Sequence, residues 1–258
     1  MALPPSLPLP IGIRIAGSPD LARPAAVEMA ARAAEGLGYA AVWVVSDDPD
    51  ELVAVATVAA AATDRVRIGV GLLVDAEGLR PHQRLGLPWL NQLAPGRLTL
   101  GIAAAGIPAE AAAGVIESVR EATAPNVAVP RLVLSAGGPE TFDLVAREAD
   151  GWLADSVPVG ELHDRWVALQ AMAVGHGRGE ALALVVPAWV ELADDDQPAG
   201  RPDYQGSLHQ VVADVLTAAR AGAEEVVLMP GGDPSLDEAL DLAARVAEAL
   251  EAALVEAG

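Results

Sequence analysis

Short β-branched runs alternate along the whole chain with longer segments whose apolar positions recur every three or four residues. Read in order, the pattern predicts strands at Ile11–Ile15, Ala40–Val45, Val66–Val74, Leu98–Ala103, Arg131–Ser135, Gly151–Ala154, Leu182–Leu192 and Glu225–Met229. Each strand precedes a predicted helix: about Leu21–Leu37, Pro49–Thr63, Pro81–Leu93, Ala109–Thr123, Pro139–Glu148, Glu161–Val174, Ser207–Ala221 and Ser235–Glu256. Such alternation implies a parallel α/β sheet, and eight units close most naturally into a single (β/α)8 TIM barrel. Gly36, Gly38 and Gly222 read as helix ends, and Asp20, Ser207 and Asp233 as N-caps, with Pro234 at a first helical position. No linker rich in Gly, Ser or Pro divides the chain, so residues 1–258 read as one domain. Met1–Pro10, with four prolines and no basic residue, reads as an extended arm.

One predicted helix lacks a polar face. Glu51–Thr63, ELVAVATVAAAAT, is apolar almost all round beyond its first turn. Such a helix is usually covered on both sides, which predicts a second subunit over it and a homodimer. The other reading is an exposed alanine-rich helix, since alanine tolerates water.

Composition narrows the possible partners. The formal net charge is −20 and every basic residue is arginine, so nucleic acid and anionic membranes are repelled. Any phosphate must be held by backbone amides, hydroxyls or a nearby arginine such as Arg80 or Arg131. No apolar run approaches the roughly 20 residues needed to cross a bilayer. With no cysteine there is neither disulfide nor thiolate chemistry, and the expected location is cytoplasmic.

In a barrel of this kind the working residues lie in the loops after the strands. Two diglycine turns fall there, Ser135-Ala136-Gly137-Gly138-Pro139 and Met229-Pro230-Gly231-Gly232-Asp233. Glycine lets backbone amides at a helix start approach an anion closely; an ordinary tight turn explains either pair equally well. Asp233 would set a carboxylate beside an anion at the second turn, which favours the first. Gly69-Val70-Gly71 inside the third strand marks either a close approach to a ligand or room for a large neighbour. The mouth carries Ser46, Asp47, Asp48, Asp75, Asp155, Ser156 and Glu191, while the four histidines lie in helices or flanking loops without metal-ligand spacing. No metal site, catalytic Ser-His-Asp order or P-loop is predicted.

Several stretches, taken together and in order, resemble the luciferase-like monooxygenase superfamily of flavin- and deazaflavin-dependent oxidoreductases. They are Ala33-Ala34-Glu35-Gly36-Leu37-Gly38-Tyr39-Ala40-Ala41-Val42-Trp43-Val44, Ala62-Thr63-Asp64-Arg65-Val66-Arg67-Ile68-Gly69-Val70-Gly71 and Leu93-Ala94-Pro95-Gly96-Arg97-Leu98-Thr99-Leu100-Gly101-Ile102. Ala136-Gly137-Gly138-Pro139, Glu148-Ala149-Asp150-Gly151-Trp152 and Ala221-Gly222-Ala223-Glu224-Glu225-Val226-Val227-Leu228 complete the set. The resemblance implies hydride transfer between a small organic substrate and 8-hydroxy-5-deazaflavin (coenzyme F-420) or FMN, bound at the mouth. It implies a bulged third strand, with Gly71 and Leu72 behind the central ring. Ala136, Gly137, Gly138 and Pro139 would hold the ribityl phosphate, Ser46 would touch the cofactor, and Trp152 would pack.

The departures are chemical. Relatives commonly carry a histidine just after the strand 2 tryptophan, where this chain reads Ser46-Asp47-Asp48. That leaves Asp47 as the expected proton-handling residue, a role that requires burial to raise its pKa. Ala103-Ala104-Ala105-Gly106 stands where deazaflavin relatives often place an acid, and only Ile107–Val129 fills the usual long insertion. These losses motivate an alternative: a non-catalytic dimeric barrel that binds a flavin or another phosphorylated ligand.

Overall fold

The structure, a computed structural model, describes residues 11–14, 23–45, 49–73, 79–103, 106–123, 128–179, 181–232 and 234–257. The expected arm, residues 1–10, lies outside them, as do Asp20 and Asp233, the N-caps expected for the first and last helices. The elements run β1 (Ile11–Arg14), α1 (Pro24–Leu37), β2 (Ala41–Val45), α2 (Pro49–Ala62), β3 (Arg67–Leu73), α3 (Pro81–Leu93), β4 (Leu98–Ala103) and α4 (Ala109–Thr123). They continue with β5 (Arg131–Ser135), α5 (Pro139–Glu148), β6 (Gly151–Leu153), α6 (Leu162–Gly175), β7 (Ala183–Leu192), β8 (Gln205–Gly206), α7 (Leu208–Ala221), β9 (Glu225–Pro230) and α8 (Leu236–Ala257). The first helix starts at Pro24, three residues later than predicted, because proline fits the first helical position. The two-residue β8 was not predicted, so the eighth expected strand is β9.

All pairings are parallel and the sheet is curled. β1 to β6 pair in sequence order. β6 also pairs with β7, β7 with β9, and β9 with β1. Helices pack on the outer face over a large apolar core, while a smaller cluster of Ala41, Trp43, Val133, Leu153, Val185, Val227 and Met229 fills the inside.

Trp43 dominates that inner cluster. Its indole lies where three strands have given up their side chains. A Cβ built on Gly69 would come within 2.2 Å of the ring, and on Gly101 or Gly12 within 2.9 and 3.0 Å. The indole N–H donates to Glu225, a carboxylate only 3% exposed, which also pairs with Arg67 at the amino end of β3. Of the two readings of the β3 glycines, Gly69 therefore makes room for a large neighbour.

Two clamps hold the turn from α2 into β3 at the same end. The Glu35 carboxylate accepts from the amides of Asp64, Arg65 and Val66, the shortest at 2.7 Å. Arg97 donates to the carbonyls of Ala60, Thr63 and Val66 and to the Thr63 hydroxyl. It thereby satisfies the carbonyls that the helix end leaves without partners.

The acidic stretch from Asp194 to Pro202 is an exposed loop that is nonetheless tied down. Arg201 forms a two-pronged bond with Asp214, the Ser207 hydroxyl donates to Asp196, and the Gln197 and Gln210 backbone and side-chain groups exchange bonds. Sequence pattern alone misses this because its partners lie on α7. Caps follow side-chain chemistry: Ser207 with Gln210 at α7, and Ser235 with Glu238 at α8. The Ser235 pair does at α8 the work expected of Asp233.

Gly69→Ala should cost about 3 kcal/mol in a urea titration, the upper part of the range for overpacked cores. Combining it with Trp43→Leu should give a loss smaller than the sum, because the two positions share one space. Acid titration tests the Glu35 clamp. Burial raises the carboxyl's pKa, but the three donating amides outweigh it and leave the group below its ordinary value. A depressed carboxylate contributes stability above its unfolded pKa and loses it as pH falls through the folded value. Glu35→Gln should therefore show a shallower loss of stability below about pH 4.5 than the parent.

Candidate functional site

A cavity of about 210 Å³ opens at the carboxyl ends of the strands. Trp43 and Val45 of β2, Gly71 of β3, and Gly101 and Ala103 of β4 form one side; Leu153, Pro187, Val227 and Met229 form the other. Two charged groups face it among the described residues, Arg14 from β1 and Asp155 just after β6. The Ser156 backbone, at a φ of +57°, turns the chain sharply after Asp155. At the rim the Arg14 guanidinium lies over the Trp189 ring, 4.9 Å from its centre. Trp189 belongs to β7, which runs on past the sheet to pair through Glu191 and Leu192 with β8.

The expected site residues fall into three groups. Gly71 lines the cavity, so the two β3 glycines divide their roles, one for packing and one for the mouth. Leu72 is fully buried in the outer core. At that position only the backbone is available to a ligand. β3 pairs with β4 without a skipped residue from Ile68 to Leu73, so the bulge implied at Gly71–Leu72 is missing from the register. The glycine itself opens the approach, since a Cβ there would press to within 3.0 Å of Val45.

Ala136, Gly137, Gly138 and Pro139 form the β5–α5 turn, outside the cavity lining. The space around Gly137 and Gly138 is open, and the Gly138 amide donates to the Thr141 hydroxyl at 3.1 Å. The other diglycine turn is closed. The Gly231 amide donates to Val190, and a Cβ on Gly231 would meet the Glu191 side chain at 2.7 Å. Ser46 and Asp47 lie outside the described residues, as do Asp48 and Asp75.

Trp152, expected to pack, is fully buried, with its ring edge-on to Phe142 at 5.0 Å between centres. Arg80 does not face the cavity, and Arg131 is held at the opposite end by Glu224 through two bonds of 2.6 Å. That pairing holds the Glu224 carboxyl below its usual range. Sequence reasoning missed Arg14 and Trp189. Their only signal was a single arginine at the end of an apolar strand and a tryptophan late in a long one.

A second cavity, about 360 Å³, lies at the amino ends of the strands between Arg67, Thr99, Arg131 and Asp150. No group of three or more His, Asp or Glu among the described residues could hold a metal ion. No helix among them is long and apolar enough to cross a membrane.

Fold and mouth together define a class: a parallel, curled α/β sheet wrapped by helices, with an apolar cavity at the carboxyl ends of its strands. The chain superposes on an F420-dependent secondary alcohol dehydrogenase in complex with an F420–acetone adduct, at 14% identity and a TM-score of 0.68 over 94% of this chain and 99% of that one. A monooxygenase from Streptomyces bottropensis gives 17% identity and a TM-score of 0.68, covering 93% and 98%. A riboflavin lyase, solved with modified FMN and riboflavin, gives 13% and 0.63 over 94% and 91%. At these identities the likeness is one of fold. No protein-family model matches the sequence, and no curated protein matches it.

Proposed function

We propose that the chain is a (β/α)8-barrel oxidoreductase that passes hydride between a small organic substrate and either 8-hydroxy-5-deazaflavin or FMN. The pairing of β6 with β7 and of β9 with β1 supports reading the curled sheet as a barrel. The observation that carries the functional reading is the apolar mouth cavity, floored by Trp43 and left bare of side chains at Gly71 and Gly101. A flat, apolar surface suits a planar redox ring. Open space at Gly137, where α5 begins, suits an approaching phosphate, because a helix start favours negative charge. At the other diglycine turn Glu191 would repel one. The residues thus fit the group.

A volume of 210 Å³ is below the roughly 300–1,000 Å³ of a complete ligand site, so the cavity takes reacting groups and a cofactor tail lies across the mouth. The bound cofactor supplies the redox chemistry, and the chain's part is to orient, exclude water and handle a proton. Gly71, Leu72 (through its backbone), Ala136, Gly137, Gly138, Pro139 and Ser46 are the proposed cofactor contacts. Asp47 is the proposed proton-handling residue. Asp155, the carboxylate on the described cavity wall, is the second position for that work.

One observation favours a second reading, a barrel that binds such a ligand without turnover: the described lining contains no histidine. In either reading the protein is a homodimer. Leu85, Trp89 and Leu93 lie on one face of α3 and are 74%, 68% and 46% exposed, an apolar stripe beside the alanine surface of α2. Burying these large side chains contributes about 1.5–3 kcal/mol each.

Fluorescence titration tests the cofactor site. Deazaflavin or FMN should bind with micromolar affinity, and Gly137→Asp should weaken binding at least about tenfold by placing a carboxylate against the phosphate. Binding of neither, with the protein folded, rejects both readings. Trp89→Glu should shift the protein from dimer to monomer in sedimentation velocity at micromolar concentration, without loss of helical signal.

A further inference from the structure

Of the large apolar side chains left exposed among the described residues, Trp189 is the one that lines the mouth cavity. It is 43% exposed, whereas Trp43 on the cavity floor is 3% exposed. The floor indole is explained by packing, since three glycines make room for it. The rim indole is not. Leaving so large a ring in water forgoes the burial that makes such a side chain stabilising.

The ring is held in place all the same. The strand that carries it is braced on both sides: β7 pairs with β9 as far as Val190 with Pro230, and with β8 at Glu191 and Leu192. The Val190 carbonyl accepts from the Gly231 amide, and the Glu191 amide donates to the Tyr204 carbonyl. Beyond it, Arg201 and Asp214 tie the following loop to α7. The Arg14 guanidinium props one face of the indole, 4.9 Å from the ring centre, and the Nε of Arg14 is itself buried. An indole fixed in this way loses little further freedom when a ligand settles on it, so little of the gain in contact is spent on ordering.

We infer that Trp189 is a stacking platform that selects substrates carrying a planar aromatic ring. The mouth then has two aromatic surfaces at different depths, Trp43 beneath the cofactor ring and Trp189 at the rim beside the substrate ring. This deepens the proposed function by naming a substrate class, and it rests on the mouth cavity being the ligand site. Arg14 takes no ligand; it holds the indole. A flat ring meets an indole offset-stacked or edge-on, with centres roughly 4.5–7 Å apart. A puckered, saturated ring of the same size touches it at fewer atoms and gains less dispersion contact.

Isothermal titration calorimetry with phenol and cyclohexanol tests the inference, because the two carry one hydroxyl on a flat and on a puckered six-membered ring. Each is titrated into the protein alone and into protein saturated with FMN or deazaflavin, whichever binds. Phenol should bind about three- to tenfold more tightly than cyclohexanol in both cases, the size of effect expected of one aromatic pair. Trp189→Leu should remove that preference while cyclohexanol binding persists, and Trp189→Phe, with a smaller ring, should retain part of it. Equal affinity for the two in the wild-type protein, no phenol binding at millimolar concentration, or an unchanged preference in Trp189→Leu would each overturn the inference. So would displacement of phenol by the cofactor, which would put phenol on the Trp43 floor. The wild-type comparison needs no folded variant. Cofactor binding without a preference for phenol sinks this inference alone. A preference for phenol that depends on Trp189, with neither cofactor bound, sinks the oxidoreductase reading alone.

Discussion

One indole organises the inside of this protein. Trp43 lies across three strands whose residues at the contact are all glycine, and its single polar atom is bound by a buried carboxylate that is in turn paired with Arg67. Each part requires the others. Without the glycines the ring has no space; without Glu225 its N–H is buried with no acceptor; without Arg67 the buried Glu225 charge loses its direct ion-pair partner. The ring fills the waist of the curled sheet and sets the depth of the cavity above it. The apolar floor offered to a ligand is therefore a product of core packing, fixed before any ligand arrives.

The sequence disclosed the scaffold far more fully than the chemistry, and the reason is where the motifs sit. Strand and helix periodicity located β1 to β7 and β9, because a parallel strand covered on both faces reads as an unbroken apolar run. The stretches that resemble the luciferase-like superfamily contain Glu35, Arg97 and Asp150. All three close turns at the amino ends of strands, Asp150 by accepting the Leu132 amide at 2.8 Å. That end of such a fold carries stability rather than catalysis. These three motif residues thus serve the scaffold rather than the mouth. Mouth residues are set by spatial convergence. Arg14 and Trp189 are 175 positions apart in sequence, and no spacing rule links them. The strand between them, β9, is the last of the sheet. The ties of the exposed acidic loop before β8 are likewise set in space, since its arginine is held by Asp214 on α7.

Charge distribution separates the two ends. At the amino ends, Arg67 and Arg131 are matched by Glu225 and Glu224, so the cationic groups there are neutralised locally. At the carboxyl ends the described cavity has one arginine and one aspartate set in apolar walls. A strongly anionic protein repels anions at long range, but a Debye length of about 8 Å at physiological salt confines that repulsion to the immediate surface.

Trp43, with Glu225 and Arg67 beneath it, stands between the cavity at the carboxyl ends and the one at the amino ends. The chamber at the mouth is a cul-de-sac. Under the proposed function a ligand would exchange from the carboxyl side, and one occupant would have to go before the next could sit. In such a vestibule the residence time of the occupant, rather than the rate of any step it undergoes, would set the ceiling on exchange.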